Sequence, residues 1–136
     1  MMTQWHEFLA SNGAVFAGDQ LAHYGDAQAE LQAAAHGNIV ADLSQLGLLQ
    51  VEGADATAFL QGQLTNDIKQ LDGSKSQYAG YCNAKGRLLA LFLAFAHHDH
   101  IHLQLNRELL EAMMKRLKMY VLRSKVTITD MSDSII

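Results

Sequence analysis

Residues 1–68 contain neither lysine nor arginine, proline is absent from all 136 positions, and Cys82 is the single cysteine. One thiol cannot close an internal disulfide or build a cysteine-based zinc site, which fits a reducing compartment. The missing prolines, with no low-complexity linker and no repeat, leave no visible domain boundary. A single domain over 1–136 is therefore expected, with 1–38 as a helical lead-in. The longest apolar runs, such as Leu88–Ala96, fall far short of the roughly 18 to 20 residues that cross a bilayer. No lysine or arginine precedes the first apolar residues and no continuous apolar stretch follows them, so the start does not read as a secretory signal. A cytoplasmic protein without a membrane partner is the expectation.

Hydrophobic residues make up 49% of the chain, enough to bury a core, and its net charge is −4. That charge is unevenly spread. The first 68 residues hold eight acids and no bases, while 69–136 hold ten bases and six acids. An anionic ligand is drawn to the second half. Lys115, Arg116, Lys118, Arg123 and Lys125 lie in eleven residues without an acid. Such a run is either a solvated helix end, favoured by the macrodipole, or an anion site.

Apolar spacing predicts helices over 4–11 and over 26–36, the second capped by Asp26 and stopped at Gly37-Asn38. Short strands are predicted at Ile39–Leu43 and Leu46–Val51, then a helix from Asp55 to Leu64. Tyr78–Cys82 and Arg87–Phe95 read as strands joined by Asn83-Ala84-Lys85-Gly86, a hairpin whose glycine supplies a left-handed position. His97-His98-Asp99 is the next turn and His100–Leu105 a third strand. Asn106 caps a helix from Arg107 to Met119, and Ser124–Thr129 is the last strand. The resulting β-α-β-β-β-α-β order predicts an α+β fold, an antiparallel sheet with helices packed on one side.

Three segments resemble the YgfZ-type folate-binding proteins and the glycine-cleavage aminomethyltransferases in order and spacing. They are Ala41-Asp42-Leu43-Ser44-Gln45-Leu46-Gly47, Phe59-Leu60-Gln61-Gly62-Gln63-Leu64-Thr65-Asn66-Asp67 and Tyr81-Cys82-Asn83-Ala84-Lys85-Gly86-Arg87. Tyr120–Val126 is similar to a fourth family segment. The resemblance, which covers Ala41–Asp130, implies the amino-terminal part of a folate-binding fold. It also implies tetrahydrofolate or a derivative as ligand, and a role in maintaining iron-sulfur enzymes and, through one of them, in tRNA modification.

Two departures shape that expectation. Aminomethyltransferases carry an acid on the strand after the Asn-x-x-Gly turn, and the matching position here is Ala90 or Leu91. An apolar side chain neither moves a proton nor stabilises an iminium charge, so a non-catalytic role is expected rather than aminomethyl transfer. The Lys-Gly-Cys-Tyr-x-Gly-Gln-Glu motif of later YgfZ sequence does not occur, and Cys82 is not its cysteine. With the apolar end at Ile135-Ile136, this points to part of a longer protein and to self-association through an unpaired face.

The resemblance carries candidate folate contacts onto Leu46, Tyr78 and Asn106. Asn83, Lys85 and Arg87 join them, the two bases as partners for a folate's glutamate tail. Each has a plainer role open to it: Leu46 as core, Tyr78 as a strand aromatic, Asn106 as a helix cap, and the hairpin bases as solvated charges. His98, His100 and His102 alternate, but three imidazoles on one strand point in parallel rather than converging, which disfavours a metal. A rival reading is an RNA-binding module using 115–125. The acidic balance and scarce aromatics count against direct nucleic-acid binding.

Overall fold

The computed structural model describes residues 3–134, which places Ile135 and Ile136 outside the described residues. Its backbone divides into two compact units, Met1–Ser44 and Gln45–Ile136.

In the first unit, helix α1 (Gln4–Ser11) starts where the Thr3 side chain accepts the His6 N–H. Strands β1 (Val15–Ala17) and β2 (Gln20–His23) form an antiparallel hairpin turned at Gly18, whose φ of 65° is a left-handed position. Helix α2 (Ala27–His36) opens as expected at Asp26, whose carboxylate accepts the N–H groups of Gln28 and Ala29, and closes at Gly37. The strand expected at Ile39–Leu43 does not form. That stretch has no ladder partner, and Val40 is 98% exposed.

The second unit is built on a five-stranded antiparallel sheet in the order β4-β5-β6-β3-β7. Its strands are β3 (Leu46–Glu52), β4 (Ser76–Cys82), β5 (Leu88–His97), β6 (His100–Asn106) and β7 (Thr127–Asp130). Helix α3 (Ala56–Gln61) and a 3-10 turn (Ile68–Gln70) lie between β3 and β4, and helix α4 (Arg107–Met119) between β6 and β7. The last strand begins at Thr127 rather than Ser124, because residues 120–124 form turns after α4.

Alternation fixes the two faces of this sheet. Leu49, Val51, Phe92, Leu103 and Ile128 point to one side, where Phe59 and Leu60 of α3 and Leu110, Met113 and Leu117 of α4 complete the core. Both helices of this unit cover that side, as the α+β expectation requires. Gly47 of β3 makes the approach possible, since a Cβ there would run into Leu110 of α4. Gly53, at φ 119°, lets the chain turn beneath the Lys125 carbonyl, and Asp55 accepts the Lys125 N–H at 2.7 Å while donating its own N–H to that carbonyl.

Candidate functional site

The opposite side of the sheet has no helix of this unit on it. Its side chains stand in rows set by the ladder register. One row runs Tyr78, Leu93, Gln104, Leu48, and the next Ser76, Phe95, His102, Gln50, Thr129. Rows lie roughly 7 Å apart and strands about 4.8 Å. Leu46 pairs with Asn106 at the end of this face nearer the Tyr78 row.

Sequence left the acid position open between Ala90 and Leu91, and the register puts these two residues on opposite faces. Ala90 pairs with Tyr81 on the core face and is 3% exposed, whereas Leu91 pairs with Gly80 on the open face and is 52% exposed. The shift that puts Cys82 opposite Leu88 is a bulge of one residue, which only structure reveals. Gly80 leaves room above it that the Leu88 side chain fills, and its N–H is held by the Thr65 hydroxyl at 2.8 Å.

The candidate residues fall into two groups. Leu46 is half-buried and Tyr78 is 66% exposed, both on the open face with Leu91. Asn106 adjoins Leu46, but its side-chain oxygen accepts the Glu108 N–H at 2.9 Å and caps α4. Its amide nitrogen is therefore the group that could serve a ligand. Asn83, Lys85 and Arg87 sit together in the β4–β5 turn at the end of those strands. The Asn83 side-chain oxygen accepts the N–H groups of Lys85 and Arg87 at 2.9 and 3.0 Å, so it is spent on holding the hairpin. Lys85 and Arg87 are exposed.

The turn expected at His97-His98-Asp99 forms, over His98 and Asp99. These two residues join β5 to β6, both at positive φ (49° and 64°), as a tight hairpin demands, so the strand does not continue through His98. His102 belongs to the sheet, is 2% exposed and stacks on Phe95 with ring centroids 5.2 Å apart. Its Nδ1 is buried without a hydrogen-bond partner. Burial first, then the nearby His97, His100 and His98, pushes its pKa below the usual histidine value. His100 lies 3.7 Å from Glu52. Among the described residues no group of three or more His, Cys, Asp or Glu is placed to hold a metal ion.

The basic segment divides between the last turns of α4 and the loop after it. Tyr120 and Leu122 are exposed there, and Leu122 adopts φ 49°. A shallow open depression is lined by Asp55 and Tyr120 to Ser124. It contains none of the candidate folate contacts. Sequence reading missed the open-face residues Leu48, Leu93 and Phe95, because β5 is apolar from Leu88 to Ala96 and β3 has Leu48 and Leu49 side by side, which leaves no alternation to tell the faces apart. No described helix is long and apolar enough to cross a membrane.

Comparison with known proteins agrees with the architecture. The chain is 35% identical over 94 residues to the tRNA-modifying protein YgfZ of Sodalis glossinidius, a match that covers 69% of this chain and 29% of that protein. It is 35% identical over 97 residues to the protein of the same name from Aliivibrio fischeri, with 71% and 30% covered. The chain thus spans about three tenths of these relatives. The crystal structure of glycine cleavage system aminomethyltransferase T from Bartonella henselae superposes with a TM-score of 0.74 at 20% identity, over 94% of this chain and 37% of that one. That likeness establishes the fold. The pattern of the GCVT N-terminal domain family matches residues 4–136, and the chain belongs to that family.

Proposed function

We propose that this chain is the folate-binding part of a YgfZ-type accessory protein, cytoplasmic and non-catalytic, which supports iron-sulfur enzymes and through them tRNA modification. The observation that carries the reading is the sheet face shared by Tyr78, Leu91 and, three strands away from Tyr78, Leu46. A pteridine is planar and aromatic, and an exposed tyrosine ring beside leucines offers it a stacking surface. Tetrahydrofolate fits these residues: the Asn106 amide can donate to ring acceptors, and Lys85 and Arg87 suit the carboxylates of the tail. Of Ala90 and Leu91, the two positions where the resemblance puts the acid of the aminomethyltransferases, only Leu91 is on this face, and neither is an acid, so the ligand would be held without the group that moves its proton. The YgfZ name of the relatives supports the link to tRNA.

The test is an NMR titration with tetrahydrofolate. Shifts should concentrate at Leu46, Tyr78 and Leu91, and Tyr78→Ala should weaken binding about tenfold, the loss of one good stacking contact. If saturating ligand moves no resonance between Ala41 and Asp130, the reading fails.

A second reading, RNA contact through 115–125, gains one observation: Tyr120, 49% exposed, adds a ring among the five bases. Changing Lys115, Arg116 and Lys118 to Gln would then abolish tRNA binding and flatten its salt dependence, whereas folate binding would stay unchanged.

A further inference from the structure

We infer that Asn66 is a positioning residue for the ligand face, holding the edge of β4 under Tyr78; this rests on the folate reading and adds the loop after α3 to that site. β4 is an outer strand of the five, paired with β5 on one edge only. Leu64 bridges Tyr81 in antiparallel fashion along the other edge, and the Thr65 N–H donates to the Gly80 carbonyl at 2.9 Å. Backbone pairing gives out there, and side chains continue it. The Gly80 N–H donates to the Thr65 hydroxyl at 2.8 Å, the Asn66 amide nitrogen to the Tyr78 carbonyl at 2.9 Å, and the Gln77 amide nitrogen to the Asp67 carbonyl at 2.9 Å.

Tyr78 depends on such support. Its ring is 66% exposed, so its own packing does little to fix it, and exposed backbone at a sheet edge opens at low cost. Asn66 is itself exposed but stands between two anchors, Leu64 at 8% and Ile68 at 1% exposure. Its side-chain oxygen accepts the Asp67 N–H at 2.8 Å, and the Gln61 side-chain oxygen accepts the Ile68 N–H at 2.8 Å. The amide is thus set in place before any ligand arrives, and its bond to Tyr78 requires no further ordering of the loop. A polar loop here also shields β4 from pairing with another chain. Shielding asks only that the edge be covered, whereas positioning requires that Asn66 act on the ligand through Tyr78.

The experiment is a double-mutant cycle in the 136-residue chain, with tetrahydrofolate as the probe. Asn66→Asp keeps the oxygen that accepts the Asp67 N–H and removes the donor to Tyr78. It should weaken binding about threefold, the usual worth of one hydrogen bond, and leave the urea midpoint at its wild-type value. In the Tyr78→Ala background the same substitution should cause no further loss. Without ligand, Asn66→Asp should speed hydrogen exchange of the Ala79 amide, which shares a peptide group with the Tyr78 carbonyl, and leave that of Leu103 unchanged.

Wild type that binds no tetrahydrofolate sinks the folate reading and this inference together. Wild type that binds while Asn66→Asp binds equally well overturns this inference alone. So does an equal loss in both backgrounds, which would mean added charge or a general effect on the fold, and so does unchanged exchange at Ala79.

Discussion

Trp5 and Asp42, 37 positions apart, are joined by a 3.0 Å hydrogen bond from the indole Nε1 to Oδ1. The other carboxylate oxygen of Asp42 accepts the Ser44 hydroxyl at 2.6 Å, so one side chain ties α1 to the stretch leading into the sheet. Burial alone would raise the Asp42 pKa, but the hydrogen bonds from Ser44 and Trp5 together outweigh it and hold the carboxyl below 3.8.

Asp42→Ala should therefore destabilise the first unit by about 1 to 2 kcal/mol, the usual loss for a partly buried charge-assisted bond. Urea titration followed by Trp5 fluorescence reads it. The sign with pH follows from the depressed pKa: the contribution is full above about 3.8 and is lost as pH falls through the lower folded value. An Asp42→Ala variant with wild-type midpoint at neutral pH would show that the contact contributes nothing.

Gly53 and Gly47 are both closely approached, yet their substitutions should differ. A Cβ at Gly53 meets the Lys125 backbone and the residue sits at φ 119°. Gly53→Ala should cost roughly 3 kcal/mol or more, since neither the strain nor the backbone clash can relax. At Gly47 the obstacle is the Leu110 side chain, which can change rotamer. Gly47→Ala should cost about 1 to 3 kcal/mol, the range for overpacking. Thermal denaturation of the two variants ranks them, and a milder Gly53→Ala would contradict the geometry.

Ala90→Asp and Leu91→Asp test the two faces directly. A carboxylate at position 90 enters the core and should cost about 3 kcal/mol or more, or prevent folding. At position 91 it enters solvent and should cost under about 1 kcal/mol. Comparable losses in chemical denaturation would mean that the register across the Tyr81–Cys82 bulge is different.

This pair shows how far sequence carries. The boundaries of α1, α2 and α4 followed from Asp26, Asn106 and apolar spacing, because caps and helical periodicity are local. The β4–β5 hairpin was legible for the same reason, through Asn83 and Gly86. The β1–β2 hairpin was not, because three- and four-residue strands with mostly exposed side chains leave no usable alternation. Ile39–Leu43 is apolar enough for a strand but finds no partner, and pairing is a tertiary property. Leu46 and Tyr78 came from the resemblance; their common face, and the opposite faces of Ala90 and Leu91, required the register.

His102 supplies a prediction no sequence pattern offered. In the unfolded chain it takes a proton near 6.5, and burial together with neighbouring histidines resists that proton in the fold. Unfolding then takes up a proton as pH falls below about 6.5, so stability is flat above that value and declines beneath it until the folded pKa is reached. The groups facing this corner are His97, His98 and His100 around the β5–β6 turn and Glu52 on β3. Urea midpoints measured from pH 8 to pH 5.5, a window set around the ordinary histidine range, should fall less steeply at the acid end for His102→Leu than for wild type. Parallel curves would remove His102 as the cause.

The placement of β3 between β6 and β7 sets an order of assembly. Leu49 pairs with Leu103 and also faces Asp130, while Val51 pairs with Ile101 and Ile128. By contrast, β4, β5 and β6 are linked by short turns and can zip together as neighbours. Distant pairings are entropically expensive to nucleate, which makes such sheets slow among small domains. During synthesis β3 is the first of the five strands to leave the ribosome, yet one of its edges waits for β6 at the end of the meander and the other for β7, which follows α4. Its apolar residues, Leu49 and Val51, are therefore the ones a nascent chain must shield longest, and the earliest strand of this sheet becomes the last to lock.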